Sequence, residues 1–341
     1  MKAAFVVDKE KVEIREIDIP KINSNEVLIK VKTVGVCGSD LHLFRGTHPT
    51  RKPPAILGHE VAGDIIEVGN QVRNLKVGDR VTVEPHKVCG ECEFCKQGLA
   101  NLCVAKINPG NPGWNGTFAE YFNAPAQVVH KISDKVSYET ATLIEPLAVA
   151  VHAVGRITVK PKDTLVILGS GTIGLLTLIA AREIGYQNII CTDTQDFNLS
   201  MAKGEGAKLV LNPLQDDVVA KVREFTAGRG ADAVLILANA KNIIDQASSI
   251  VRKRGEIGIV AMITEKIPVY PQNFVTNEIT LFGSVTYETK DFLKAAKMVN
   301  NGLNLQNFVT QRLSLDDSQK ALSILSDKKE NVVKVIVEVN K

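Results

Sequence analysis

Four cysteines fall within fifteen residues, as Cys89, Cys92, Cys95 and Cys103 in the spacing C-x2-C-x2-C-x7-C. Two-residue gaps let neighbouring thiolates converge on one ion at about 2.3 Å, and a tetrahedral zinc needs four such ligands. Gly90 and Gly98 supply the backbone freedom that tight turns around an ion demand. Lys87 and Lys96 are placed to soften the charge of a zinc tetrathiolate. A redox pair would use two cysteines and leave two over. A zinc ribbon that binds nucleic acid would bring basic and aromatic flanks, whereas this loop holds Glu91, Glu93 and only Phe94. Four protein thiolates leave no position for a substrate, so the expected ion is structural.

Of the two remaining cysteines, Cys191 reads as a small buried core residue. Cys37 lies in VGVCGSDLH at the end of an expected strand, and His59 and Glu60 follow twenty-two residues later in ILGHEVAG. Glu145 opens the apolar segment LIEPLAVAVHA. An acid in such a segment is expensive to bury unless it is paired or bound to a metal. Thiolate, imidazole and carboxylate converging with one position free would form a catalytic zinc site.

A third constellation is VILGSGTIG, in which Gly169, Gly171 and Gly174 form G-x-G-x-x-G between an expected buried strand and a long helix. Asp193 follows nineteen residues after the third glycine, at the end of the next strand. The glycines let backbone approach a pyrophosphate at the helix N-terminus, and the acid accepts from the ribose hydroxyls of a dinucleotide. A 2′-phosphate beside Asp193 would add about 4 kcal/mol of repulsion at ~4 Å and an effective dielectric of about 20. Thr194 and Gln195 offer no compensating cation, so NAD is expected over NADP.

These groups must be held by two kinds of scaffold. The first third is strand-rich: EVLIKVKTVGV alternates, with Val27, Ile29 and Val31 on one face and Lys30 and Lys32 on the other. AGDIIEVG and VGDRVTVEP continue as short strands, predicting a barrel-like antiparallel domain. From about residue 160, strands alternate with helices: DTLVILG, TIGLLTLIAAREIG, NIICTD, FNLSMAKGEG, KLVLN, DDVVAKVREFTAG, ADAVLILA, IIDQASSIVRKRG, EIGIVAMI and EITLFGS. That alternation predicts a doubly wound parallel sheet. Two helices, over 290–302 and 315–328, precede a last strand, VVKVIVEV, which alternates like the early strands and is expected to rejoin the first domain. The expected fold is therefore α/β, with a β-rich domain at 1–152 and 290–341 and a dinucleotide-binding domain at 153–289.

The 341 residues suit about two domains of ~150 residues. Net charge is only +3 and the cations are dispersed, so no nucleic-acid or polybasic membrane surface is expected. The first residues turn charged too early for a signal peptide, and no apolar run reaches the ~18 residues of a membrane span. A cytoplasmic protein is expected, whose thiols stay reduced rather than forming a disulfide.

Together CGSDLH, GHEVAG, the four-cysteine loop, EPLAVAVHA and GSGTIG resemble the zinc-dependent medium-chain alcohol dehydrogenase family over essentially the whole chain, nearest its polyol and threonine dehydrogenase branch. The resemblance implies a GroES-like domain split by a Rossmann domain, two zinc ions and NAD. It makes Cys37 and His59 zinc ligands, makes Glu60 a ligand as in the polyol enzymes, and puts Glu145 at or near the metal. One carboxylate at a time would keep the site neutral, because Cys37 already supplies one negative charge. Ser39 is implied as first proton acceptor and His42 as relay, with Asp40 orienting His59. Thr172, Ile173 and Val260 are implied as cofactor contacts beside the glycines and Asp193. The remaining histidines, His48, His86, His130 and His152, are expected to be structural. Leu43 and Phe44 follow CGSDLH where sorbitol-type enzymes often place an aromatic, and Thr286 precedes Tyr287 where they place an arginine. The expected reaction oxidises a secondary alcohol of a polyol, sugar acid, inositol or related hydroxy compound. The alternatives are a threonine-type hydroxy-amino-acid dehydrogenase and a non-catalytic zinc- and NAD-binding sensor. A small-molecule substrate and a homotetramer, or failing that a dimer, complete the expectation.

Overall fold

Alternate side chains of a strand share a face, and in Glu26–Gly35 that face buries Val27, Ile29 and Val31 completely. Burying such a side chain contributes about 1.5–3 kcal/mol, so this strand is firmly anchored. The computed structural model describes residues 1–48, 51–327 and 331–340. Glu26–Gly35 is the centre of a sheet ordered Val309–Ser314, Lys334–Glu338, Glu26–Gly35, Glu60–Val68, Arg80–Val83 and Val129–Lys131, with Tyr121–Pro125 also paired to the central strand. All these pairings are antiparallel except that of Val309–Ser314 with Lys334–Glu338. A smaller sheet joins Lys11–Glu16, Lys2–Asp8 and Ala55–Ile56. The C-terminal strand thus lies beside the strand that leads to Cys37, with Ile336 opposite Gly35. Leu43 and Phe44, which follow CGSDLH, belong to the hydrophobic core of this unit.

Two compact units are present, Met1–Glu145 with Glu288–Lys341, and Pro146–Tyr287. In the second, six parallel strands run in the order Leu209–Leu211, Asn188–Thr192, Thr164–Leu168, Ala231–Ile236, Val251–Ile259 and Thr280–Gly283. The order reverses at Thr164–Leu168, the strand that feeds the glycine loop, which is where ligands bind in such sheets. The helix expected through Gly255 ends at Ile250 instead. Val251 pairs with Ala231, and Arg252 donates to the buried Asp232 at 2.6 Å, so tertiary pairing converts VRKR to strand. The helix expected over 315–328 is a 3₁₀ turn, Leu315–Asp317, followed by Ser318–Asp327. Lys328 lies outside the described residues. No helix among the described residues is long and apolar enough to cross a membrane.

Candidate metal centres and cofactor loop

Cys37, His59 and Glu60 each offer a ligand atom within 4.8 Å of the other two. Cys37 lies just beyond Glu26–Gly35, and Glu60 opens Glu60–Val68 directly opposite Gly35. A Cβ at Gly35 would overlap Glu60 Oε2, so glycine is what lets the carboxylate lie over the neighbouring strand. Asp40 is fully buried and joins the two segments. Its carboxylate accepts from the Cys37 N–H at 3.0 Å and the Gly58 N–H at 3.3 Å. Its Oδ1 stands 3.7 Å from His59 Nδ1, beyond hydrogen-bond length, so it orients the ring by charge. Burial pushes the Asp40 carboxyl up, but His59 and the Cys37 N–H outweigh it and hold the pKa below the usual range.

A partner from the far end of the chain completes the cluster. Lys334 opens Lys334–Glu338, is 2% exposed, and forms an ion pair with Glu60 Oε2. Its Nζ also donates to the Val36 carbonyl at 3.1 Å. Burial opposes its charge, yet Glu60 and Cys37 outweigh that and raise its pKa.

The residues fit a divalent cation. Burial likewise opposes charge on His59, but the Cys37 thiolate and Asp40 push its pKa well above the usual histidine value. A proton held among anions marks where the site requires positive charge. Glu60 Oε1 and His59 Nδ1 are buried without a hydrogen-bond partner, and sulfur, nitrogen and oxygen donors together suit zinc. Glu145, 5% exposed in the first turn of Ile144–Gly155, stands outside the group of mutually close ligand atoms. Its charge still acts on Lys334. Ser39 caps the short helix Asp40–Phe44, and the His42 N–H donates to the Ser39 carbonyl at 3.3 Å. This places the two side chains one turn apart.

The four-cysteine loop is a different construction. All four sulfurs lie within 4.8 Å of one another, with Cys89 and Cys103 3.6 Å apart and Cys89 and Cys95 3.9 Å apart. Tetrahedral zinc with bonds of about 2.3 Å requires sulfur separations of about 3.75 Å. Backbone N–H groups of Cys89 and Cys92 point at Cys103 and Cys89 sulfur, each at 3.4 Å. Backbone N–H groups from Cys95 and Val104 bring Cys92 down to about 6, whereas burial and the Cys92 thiolate push Cys95 up to about 12. The mutual closeness of all four sulfurs is what fits this loop for a cation. Lys87 is directed elsewhere, contrary to expectation: its ammonium stands 4.4 Å over the Trp114 ring and 3.6 Å from Glu26. Lys106 is the cation whose charge meets Cys103.

In the parallel unit, Gly169 has φ +102°, which L side chains rarely adopt. A Cβ at Gly174 would overlap the Gly169 carbonyl, so the helix Thr172–Ile184 packs tightly on its loop. Beside Gly171, which caps that helix, a Cβ would meet nothing within 4 Å, leaving a cradle for phosphate. Asp193 accepts from the Ser170 N–H at 2.8 Å and the Gln195 N–H at 2.9 Å. Its carboxylate is fixed beside that cradle. Val260 donates its N–H to Ile236 at 3.0 Å, at the ends of the two strands beyond the reversal point.

Comparison with known proteins agrees with this geometry. The model of the alcohol dehydrogenase GroES-like domain matches residues 23–134, and that of the zinc-binding dehydrogenases matches residues 172–301. The sorbitol dehydrogenase of Bacillus subtilis is 36% identical across 100% of this chain and 98% of its own. The chain belongs to the zinc-dependent alcohol dehydrogenase family. Another member, the D-arabitol-phosphate dehydrogenase of Enterococcus avium, is 34% identical over 95% of this chain and 93% of its own. The crystal structure of 2R,3R-butanediol dehydrogenase from Bacillus subtilis superposes with a TM-score of 0.92 at 31% identity, covering 99% of each chain. As a member of this family the chain is an oxidoreductase, with a GroES-like domain and a Rossmann domain.

Lys334 and Gly35 are the functional neighbours that sequence reasoning missed in this dehydrogenase. Lys334 stood in view as the one cation heading the apolar strand KVIVE. Its partner lies 274 positions earlier, so only the sheet order reveals it.

Proposed function

We propose that this dehydrogenase oxidises a secondary alcohol of a polyol or sugar-derived hydroxy compound to the ketone, with zinc held by Cys37, His59 and Glu60. The observation that carries this reading is the Cys37–His59–Glu60 group, backed by the buried Lys334 and Asp40. When bound, zinc supplies a Lewis acid that acidifies the substrate hydroxyl, and NAD supplies the hydride acceptor. The protein's own part is to hold Glu60 through Lys334, orient His59 through Asp40, and pass the released proton by Ser39 and His42. Glu145 adds acceptor oxygens for a second substrate hydroxyl. Its sorbitol- and arabitol-phosphate-oxidising relatives support the same class.

NAD reduction across polyols, sugar acids, hydroxy-amino acids and monoalcohols tests this. A multiply hydroxylated substrate should exceed 2-propanol by at least about a hundredfold in kcat/KM, because unpaired polar groups penalise the simpler alcohol. Glu145→Gln should lower that advantage, and equal efficiency on 2-propanol would contradict it. NAD should exceed NADP by at least about tenfold, and Asp193→Ser should narrow the gap by removing the anion. Equal use of both cofactors by the wild type would remove the charge argument.

The edge strand Thr280–Gly283 leaves Leu281 42% exposed. An exposed apolar edge of this kind favours pairing with a second copy. This supports a homotetramer, with a dimer second. Light scattering at micromolar concentration decides it, and a monomeric mass rules out both.

A further inference from the structure

The loop HLFRGTHPTRK carries two arginines that the structure uses differently. Arg45 is spent on the scaffold, donating to Ser326 Oγ at 2.9 Å and to the Ser326 carbonyl at 2.6 Å. Arg51 is held at one side of its guanidinium, with its Nη groups open to solvent. Its backbone N–H donates to His48 Nδ1 at 2.8 Å and its Nε to Asn111 Oδ1 at 2.6 Å. Gly110, with φ +85°, leaves the guanidinium room: a Cβ there would stand 3.4 Å from Nη1. Among the described residues no carboxylate forms an ion pair with Arg51, although the side chain is partly buried. The anions near enough to act on it are Asp40 and Cys37, both at the metal centre. No side-chain carboxylate among the described residues takes up the Nη fork, which stays available to an anion. Burial, and after it the charges of Arg51, His42 and Lys52, hold the His48 ring below its usual pKa.

We propose that Arg51 is a specificity-determining residue that binds an anionic group of the substrate, a carboxylate or a phosphate, on a secondary alcohol. This rests on the proposed function and narrows it to hydroxy acids or polyol phosphates. The fork of guanidinium N–H groups matches the paired oxygens of either anion, and Asn111 fixes its direction through Nε. The anion is a handle and does not react. The carbinol C–H bond breaks with its electron pair going to NAD, the hydroxyl proton leaves, and the anionic group is unchanged.

The test compares kcat/KM for a hexitol, the matching aldonate and the hexitol phosphate in wild type, Arg51→Met, Arg51→Lys and Asn111→Ala. In wild type one anionic substrate should exceed the neutral hexitol by at least about tenfold, and which one identifies the anion. Arg51→Met should remove that advantage through KM for the anionic substrate, Arg51→Lys should restore part of it, and Asn111→Ala should weaken it. The preferred anion should also raise the melting temperature of wild type and not of Arg51→Met. Preference for the neutral hexitol would overturn the inference while leaving the polyol reading intact. A rise in KM for NAD instead of substrate would also overturn it, assigning Arg51 to the cofactor. Should Arg51→Met fail to fold, Arg51→Lys and Asn111→Ala with unchanged discrimination would overturn it equally. Oxidation of none of the three substrates would overturn the inference and the polyol reading together, whereas oxidation of the hexitol alone removes only the inference.

Discussion

The two candidate metal centres of this chain gather anionic ligands in opposite ways. The cysteine cage is made by one loop, with Cys89 exposed and only Cys103 buried. The Cys37 centre is made from strand ends brought together by the sheet, with Glu60 and Asp40 fully buried. In the cage, ligand spacing and N–H···S bonds do the organising. In the other centre, a lysine from the last strand and Gly35, directly opposite Glu60, do it. A cage on a loop holds structure and can be lost without touching the chemistry. A centre inside a sheet is tied to the fold around it.

The largest expected effect breaks that tie. Lys334→Met leaves Glu60 buried without its cation, a change that costs about 3–5 kcal/mol. Denaturant melts of zinc-stripped protein should show it. The loss should shrink in zinc-loaded protein, where the metal can neutralise Glu60, and Glu60→Gln in the same background should recover at least half. An unchanged midpoint would show that the pair does not organise the centre.

A second buried carboxylate sharpens the contrast, because it sits in the same unit with no metal role. Glu84 is 2% exposed, accepts from Thr289 Oγ1 at 2.9 Å and lies 3.8 Å and 3.6 Å from ring nitrogens of His86 and His130. Burial pushes its carboxyl up, but His130, His86 and Thr289 outweigh that and bring it to about 2. The folded pKa is depressed, so the stabilisation is full above about pH 4.5 and is lost as pH falls toward about 2. Glu84→Gln should therefore cost up to about 3 kcal/mol just above about pH 4.5, less at pH 7 where His86, held below the usual histidine value by burial, is neutral, and converge on wild type near pH 2. Urea melts at several pH values check this. A gap that is constant with pH would contradict the assignment.

How far each region could be read from sequence follows the same division. The cage was legible because C-x2-C-x2-C-x7-C is local, and the glycine loop because strand, turn, helix and Asp193 are consecutive features of one chain segment. Cys37, His59 and Glu60 were named from motifs, but not what holds them. Lys334 appeared only as one polar position in an apolar strand, since ion pairing across a sheet leaves no local pattern. Lys87 misled for the converse reason: nearness in sequence to a cysteine did not direct its ammonium to the sulfurs, and Trp114 and Glu26 hold it instead. VRKR was read as helix because the periodicity of its helix ran into it, while strand pairing decided otherwise.

The separation of fold-holding from chemistry is tested most directly by zinc content and turnover measured together in Cys89→Ser and His59→Ala. Wild type should hold two zinc ions per chain and each variant one. Cys89→Ser should melt lower, because metal binding free energy supports the loop, yet retain turnover within about threefold below its melting temperature. His59→Ala should keep its cage zinc and its fold while turnover falls by at least about a thousandfold. A folded Cys89→Ser protein as inactive as His59→Ala, or a single zinc in the wild type, would contradict the account.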